Sequence, residues 1–254
     1  MRLIETHAHL DAKPLADDLD GVLARARAAG VGDIVAPAYD PESWDAVAAL
    51  AAAHPGVHPA LGLHPWVADR ALDLDDLRAR LLACGAVAVG EIGLDAKIDG
   101  PGMERQAEIL RPQLRLAREL DLPVILHDRG AAEHLVPLLR EVYGSAPVRG
   151  VVHAFSRGPE LARRYLDLGL HLGFGGAVTR TDARARRAAA TAPPERIVLE
   201  TDAPSIGLQD VPAGACEPRH VREVCLALAE LRNLTADAVA ALTTENAREL
   251  FRLP

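Results

Sequence analysis

Short apolar runs of four to six residues alternate with longer Ala-, Leu- and Arg-rich segments of helical period from one end of the chain to the other. No other feature restricts the fold as much, because strands joined by helical crossovers pair in parallel and bury both faces of their sheet. Eight runs qualify as strands, at residues 2–5, 33–37, 57–61, 87–89, 124–126, 150–152, 171–173 and 197–200. Helical patterns occupy 15–29, 42–53, 74–84, 105–120, 131–142 and 159–168, with a weaker one at 182–191 and two more, 218–232 and 236–251, after the last strand. Several open on Pro or Asp and close on Gly30, Gly85, Gly144 or Gly169, and residues 233–235 supply a break and a cap. Pro112 is expected to kink or divide the fourth helix. This alternation predicts an α/β fold, a single-domain (β/α)8 TIM barrel over residues 1–254, in preference to an open doubly wound sheet. An open sheet would carry a glycine-rich phosphate turn after its first strand, where this chain has Thr6-His7-Ala8-His9.

Composition narrows the function classes. The 254 residues are 49% apolar, enough for one large core, yet only 3% aromatic, so Leu, Val, Ile and Ala must fill it. A formal charge of -8 excludes broad, charge-driven adhesion to nucleic acid or anionic membranes, while leaving room for a locally basic or metal-bearing cleft. Cys84, Cys216 and Cys225 are odd in number and form no C-x-x-C pair, and the first thirty residues carry no basic segment followed by an apolar one. The expectation is a cytoplasmic protein with reduced thiols, no membrane span and no obligate protein partner.

The chemistry gathers just after the strands, where a barrel presents its catalytic face. Strand one runs into His7-x-His9, strand three into Gly62-Leu63-His64-Pro65, and strand four into Gly90-Glu91-Ile92-Gly93-Leu94-Asp95. Strand five runs into His127-Asp128-Arg129, strand six into His153-Ala154-Phe155-Ser156, and strand eight into Glu200-Thr201-Asp202-Ala203-Pro204. Residues two apart in an extended segment project to one side, so His7 and His9 can reach a single ion. Four histidines (His7, His9, His127, His153) and two carboxylates (Glu91, Asp202) are about twice what one tetrahedral ion needs. The reading is therefore two divalent cations. Their bridge in binuclear hydrolytic sites is a carboxylate or a carbamylated lysine, and neither of the two lysines, Lys13 and Lys97, lies at a strand end. Glu91 is accordingly the expected bridge, with His7, His9 and Asp202 on one ion and His127 and His153 on the other. The donors are N and O without thiolate, which suits Zn2+, Mn2+, Ni2+ or Mg2+ alike.

Six segments stand in one order along the chain: Glu5-Thr-His-Ala-His-Leu-Asp11, Gly62-Leu-His-Pro65, Gly90-Glu-Ile-Gly-Leu-Asp95, Pro123-Val-Ile-Leu-His127, His153-Ala-Phe-Ser156 and Leu199-Glu-Thr-Asp-Ala-Pro204. In that order the sequence resembles the TatD-type deoxyribonuclease family over nearly its whole length, continuing through Glu217-Pro218 and Asn246 to Phe251. The resemblance implies a TIM-barrel, two-metal-dependent hydrolase whose better known members act as exonucleases on DNA, and it implies the same six metal residues. Three positions depart from the family pattern: Glu5 stands where Asp is usual, Arg157 where Gly is usual, and Cys216 where Asn is common.

The roles expected from this reading are specific. Asp202 is metal ligand and general base to a water attacking a phosphodiester; Glu91 is bridge; His64 or a neighbouring Arg neutralises or protonates the leaving side. Arg129 is placed either to meet a phosphate oxygen or to form a surface ion pair, Arg157 either to favour a phosphate or to block a wide groove, and His64 to bind substrate as well. The substrate partner is DNA or another phosphodiester. A second reading keeps the metal site and changes the bond, to a carbon ester or amide as in aminoacyl-tRNA deacylation or small-ring opening; a third makes the barrel a binding module. Asp95 is either a loop cap or support for a ligand, Glu200 orients a ligand histidine, and Asp128 faces solvent. Trp44 and Trp66 are packing residues, although Trp66 could stack on a base. The Arg184-Ala-Arg186-Arg187 run reads as a solvated helix face, and His54, His58, His134, His171 and His220 as structural.

Overall fold

A computed structural model describes all residues, 1–254. Eight parallel strands pair in sequence order: β1 (Leu3–Glu5), β2 (Val31–Pro37), β3 (Val57–Leu61), β4 (Ala88–Asp95), β5 (Val124–Arg129), β6 (Gly150–Val152), β7 (His171–Phe174) and β8 (Ile197–Leu199). The last strand meets the first just above both: Thr6 N–H donates to Leu199 O at 3.0 Å and Asp202 N–H to His7 O at 2.9 Å. The expected TIM barrel is the observed fold, and its seam closes on two of the residues singled out for chemistry.

Helices alternate with the strands, with longer connections after β1, β3 and β8: α1 (Leu19–Ala28), α2 (Pro41–Ala53), α3 (Leu74–Ala83), α4 (Met103–Glu119), α5 (Ala132–Tyr143), α6 (Pro159–Leu166), α7 (Arg184–Thr191), α8 (Val221–Arg232) and α9 (Ala236–Phe251). Local chemistry sets several ends. Asp40 and Ser43 form a capping box at α2, and Thr235 accepts the Ala238 N–H at 3.2 Å to start α9 after Asn233 has turned left-handed at φ 52°. Two sequence expectations are corrected. Helix α4 is not divided at Pro112, which is half-buried and leaves the carbonyl of exposed Glu108 without its helical N–H partner. Strand β4 is longer than 87–89 because Glu91-Ile-Gly-Leu-Asp95 stays in the sheet; its glycines mark a register shift between Val89 and Ile92 rather than a strand end.

Two apolar layers result. The larger packs the outward strand faces against the helices. The smaller takes Ile4, Val35, Ala60, Ala88, Ile125, Val151 and Val198 from seven strands, plus Leu250, Phe251 and Leu253 at the end of the chain. Side chains from opposite sides of a barrel can meet only inside it, so this cluster is the lower interior, plugged by Phe251. Alternation then dictates the layer above: His127 lies two residues past Ile125, His153 two past Val151, and Glu200 two past Val198.

Candidate metal centre

Glu91 is the middle of the upper layer. Its two carboxylate oxygens face different sets of imidazoles. Oε2 lies 3.2 Å from His7 Nε2 and 3.4 Å from His9 Nε2. Oε1 lies 2.7 Å from His153 Nε2, 3.0 Å from His127 Nδ1 and 3.1 Å from His64 Nε2. Asp202 joins the first set, with Oδ1 3.3 Å from His9 Nε2 and 3.7 Å from His7 Nε2. The expected residues thus converge in two lobes around one carboxylate, and His64 is drawn into the second lobe.

The donor atoms fit divalent cations. His7 Nε2 and His9 Nε2 approach to 3.3 Å, as do His127 Nδ1 and His153 Nε2, so nitrogen lone pairs point at common points in each lobe. Asp202 Oδ1 is buried without a hydrogen-bond donor. Such an assembly in a protein interior is satisfied by protons or by cations. The combinations His7–His9–Glu91 and His64–Glu91–His127 each bring three ligand atoms close enough to share an ion, as do His7, His153 and Glu200.

Electrostatics follow from the crowding. Burial opposes ionisation of Glu91, but His153, His64 and His7 around it hold the carboxyl well below the usual range. Asp202 is likewise lowered against its burial, chiefly by His9 and His7. His7 pays for the same contacts: burial and the adjacent His153, stacked at 4.0 Å, push it down to about 4. For His127, burial is outweighed by Asp95 and Glu91, which bring it up to about 9. Burial also lifts Glu200 to about 7.

A surrounding set of groups fixes these side chains. Asp95 does both things the sequence allowed: Oδ1 accepts the Lys97 N–H at 2.8 Å, while Oδ2 faces His127 Nε2 at 3.1 Å and accepts the Trp66 indole N–H at 2.7 Å. Glu5 spans the barrel seam, its Oε1 accepting the N–H groups of His7 at 2.9 Å and Thr201 at 3.0 Å. Glu200 accepts the Ala154 N–H and stands 3.9 Å from His153 Nδ1. The backbone is strained at two of these points, Ala154 at φ 47° and Asp202 at φ 55°, a conformation that non-glycine residues rarely adopt. Close approach demands glycine at two others: a β-carbon on Gly93, at φ 147°, would overlap the His127 carbonyl, and one on Gly173 would meet the Glu200 carboxylate at 2.5 Å.

Other expectations change. Asp128 is half-buried, accepting the Tyr165 O–H at 2.6 Å and the Ala131 N–H at 2.8 Å, because it caps the turn after β5. Trp44 is core, but Trp66 is 51% exposed beside His64, with ring centroids 5.0 Å apart. Tyr39, also exposed, lies with its ring centroid 6.2 Å from that of His64. Sequence reasoning passed over Tyr39; a lone Tyr after an apolar strand gives no signal, and only the fold brings it to the rim. Arg129 Nη1 lies 3.8 Å from Asp95 Oδ2, on the rim of the second lobe. A cavity of about 350 Å³ opens beside Asp202, lined in part by Ser156, Gly176, Arg180, Glu200 and Ser205. Arg157 lines a different cleft.

Fold and cluster together define a class, the TIM-barrel metal-dependent hydrolases. A family profile described as TatD related DNase matches residues 4–252, and the chain belongs to the TatD family. It is 40% identical over 258 residues to YjjV of Escherichia coli K12, named an uncharacterized metal-dependent hydrolase, with 100% of this chain and 99% of that protein covered. YabD of Bacillus subtilis strain 168, named in the same words, is 34% identical over 254 residues, with 99% of each chain covered. The crystal structure of Escherichia coli YjjV superposes with a TM-score of 0.93 at 38% identity, covering 100% of this chain and 99% of that one.

Proposed function

We propose that this metal-dependent hydrolase is a two-metal phosphodiesterase that removes nucleotides from the ends of single-stranded DNA. The observation that carries the reading is the division of Glu91: one oxygen serves His7, His9 and Asp202, the other His127 and His153. His7, His9, Glu91 and Asp202 would hold one ion, and Glu91, His127 and His153 the other, from among Zn2+, Mn2+, Ni2+ and Mg2+. Two such cations, when bound, lower the pKa of an attacking water and offset charge developing on the phosphoryl oxygens.

The chain's own groups do the rest. Asp202, its carboxyl held low by His9 and His7, accepts the proton of the attacking water. His64 Nδ1 accepts the Trp66 N–H at 3.2 Å, which keeps the imidazole proton on Nε2, the atom facing the cluster. From there the Nε2–H can donate a hydrogen bond that offsets charge on the departing oxygen, which takes its proton from solvent. Arg129 meets a phosphate oxygen at the rim. Tyr39 and Trp66, the two exposed aromatics, lie beside His64 and offer faces on which terminal bases stack. A site that admits one strand end fits a chain of net charge -8. Residues 1–254 act as one domain, and free Cys84, Cys216 and Cys225 suit a reducing cytoplasm; no helix is long and apolar enough to cross a membrane.

The test is a panel of 3′- and 5′-labelled oligonucleotides incubated with each metal in turn, beside small carboxylic esters. Stepwise shortening from one end is the expected result. Ester hydrolysis with intact oligonucleotides would replace this reading with the carbon-ester one.

A further inference from the structure

The segments after β5 and β6 and one face of α7 line a cleft of about 680 Å³ whose cationic groups are Arg157, Arg184 and Arg187. Arginines nearby are engaged: Arg163 pairs with Asp167 at 3.9 Å, Arg164 with Glu133, and Arg186 donates to Val178 O at 2.9 Å. The three guanidiniums on the cleft have no hydrogen-bond or ion-pair partner, and all three are exposed. Among the acidic groups that share the cleft, Glu133 is held by Arg164 and Asp128 by the Tyr165 O–H and the Ala131 N–H, leaving Glu160 as the unpaired carboxylate.

The cleft begins close to the metal centre: Asp128 and Gly130, two of its lining residues, stand one and three residues past His127. Gly130 passes between two cations: a β-carbon there would lie 3.2 Å from Lys97 Cε and 3.8 Å from Arg157 Nη2. A path lined by Lys97, Arg129 and Arg157 thus leads from the histidine cluster to Arg184 and Arg187. Planar guanidiniums without carboxylate partners, arrayed along a groove, are matched by phosphate oxygens spaced along a strand.

We propose that this cleft binds backbone phosphates of a single-stranded nucleic acid on the retained side of the scissile bond, so that the enzyme grips its substrate several nucleotides from the metal centre. The inference rests on the phosphodiesterase reading for its catalytic meaning, but binding can be measured without catalysis. It assigns a role to α7, whose basic run the sequence reads as a solvated face. That face lines the substrate path because α7 packs beside the β6 turn that carries Arg157.

The experiment compares the wild-type protein with Arg184→Ser/Arg187→Ser and, separately, Arg157→Ser. Binding of a fluorescein-labelled, ~10-nucleotide single strand is followed by anisotropy in EDTA across a salt series. Loss of two phosphate contacts should flatten the slope of log K against log salt by about 1.4 and weaken binding about tenfold at low salt. Cleavage with added Mn2+ supplies the second readout, the ratio of kcat/KM for the ~10-nucleotide strand to that for a dinucleotide, which should fall with binding. Equal affinity and slope in variant and wild type, or no strand binding by the wild type, overturns the proposal while leaving the metal-centre reading intact. Strand binding that depends on the arginines without cleavage of any phosphodiester supports the cleft and overturns the phosphodiesterase reading instead.

Discussion

The two ends of this barrel are built from the same strands and obey opposite rules. At the closed end Ile4, Val35, Ala60, Ala88, Ile125, Val151 and Val198 meet Phe251 in an apolar layer that any chain of the right volume could supply. One pleat higher, Glu91 and Asp202 are buried among five imidazoles, with left-handed backbone at Ala154 and Asp202. The lower layer gains stability from burial, and the upper layer costs stability in desolvation and strain. A barrel tolerates such a rim because the layer beneath it is independent, and that separation is what substitutions can break.

The largest effect falls on the rim. Asp202→Asn should lower kcat by at least about a thousandfold, some 4 kcal/mol in the barrier, as the proton acceptor is lost. Its melting temperature should stay within a few degrees of the wild type. Turnover within tenfold of wild type would show that Asp202 is dispensable and end the comparison on these terms. Phe251→Ala addresses the opposite end. It should cost about 3–5 kcal/mol in urea-monitored stability, from a side chain 2% exposed, while kcat of the folded fraction is unchanged. A matching drop in kcat would mean that the two layers are coupled.

His171, at the start of β7, is a buried polar residue whose Nδ1 has no partner. Burial, aided by Arg196, pushes its pKa from 6.5 down to about 4. The unfolded chain therefore takes up a proton below about pH 6.5 that the folded chain refuses until about pH 4, so stability is full above this window and falls as pH drops through it. The loss should reach about 3 kcal/mol in the wild type relative to His171→Leu, read as diverging urea midpoints between pH 7 and 4. Parallel midpoints would place the acid sensitivity in the rim. The smallest effect is at the mouth: Trp66→Ala should raise KM for oligonucleotides by about 1–3 kcal/mol with kcat nearly constant. A kcat loss without a KM change would assign Trp66 to holding Asp95, whose carboxylate accepts its indole N–H.

Most of the barrel and its candidate ligands could be read from the chain because both depend on short-range periodicity. Strand runs such as 57–61 and 150–152 coincide with β3 and β6, and ligand residues follow strands by fixed offsets. The failures are places where distant contacts override local signals. Gly90 and Gly93 look like the end of a strand, yet β4 continues because Ile125 and His127 on β5 lie directly against their backbone. Asp128 looks solvent-facing until Tyr165 arrives from α6. Trp66 looks like core until its loop is seen to lie outside the barrel, held by Asp95.

The sequence by itself determined the alternation of strands and helices, the parallel sheet, and which histidines and carboxylates stand at strand ends, since each is a property of residues within a few positions of one another. Only the tertiary structure decided that Glu91 divides its oxygens between two groups of imidazoles, that Tyr39 and Trp66 lie beside His64, and that Arg157, Arg184 and Arg187 share one cleft. Those relations join residues from separate βα units, and the closing of the cylinder, with its twist and register, is what sets the distances between them.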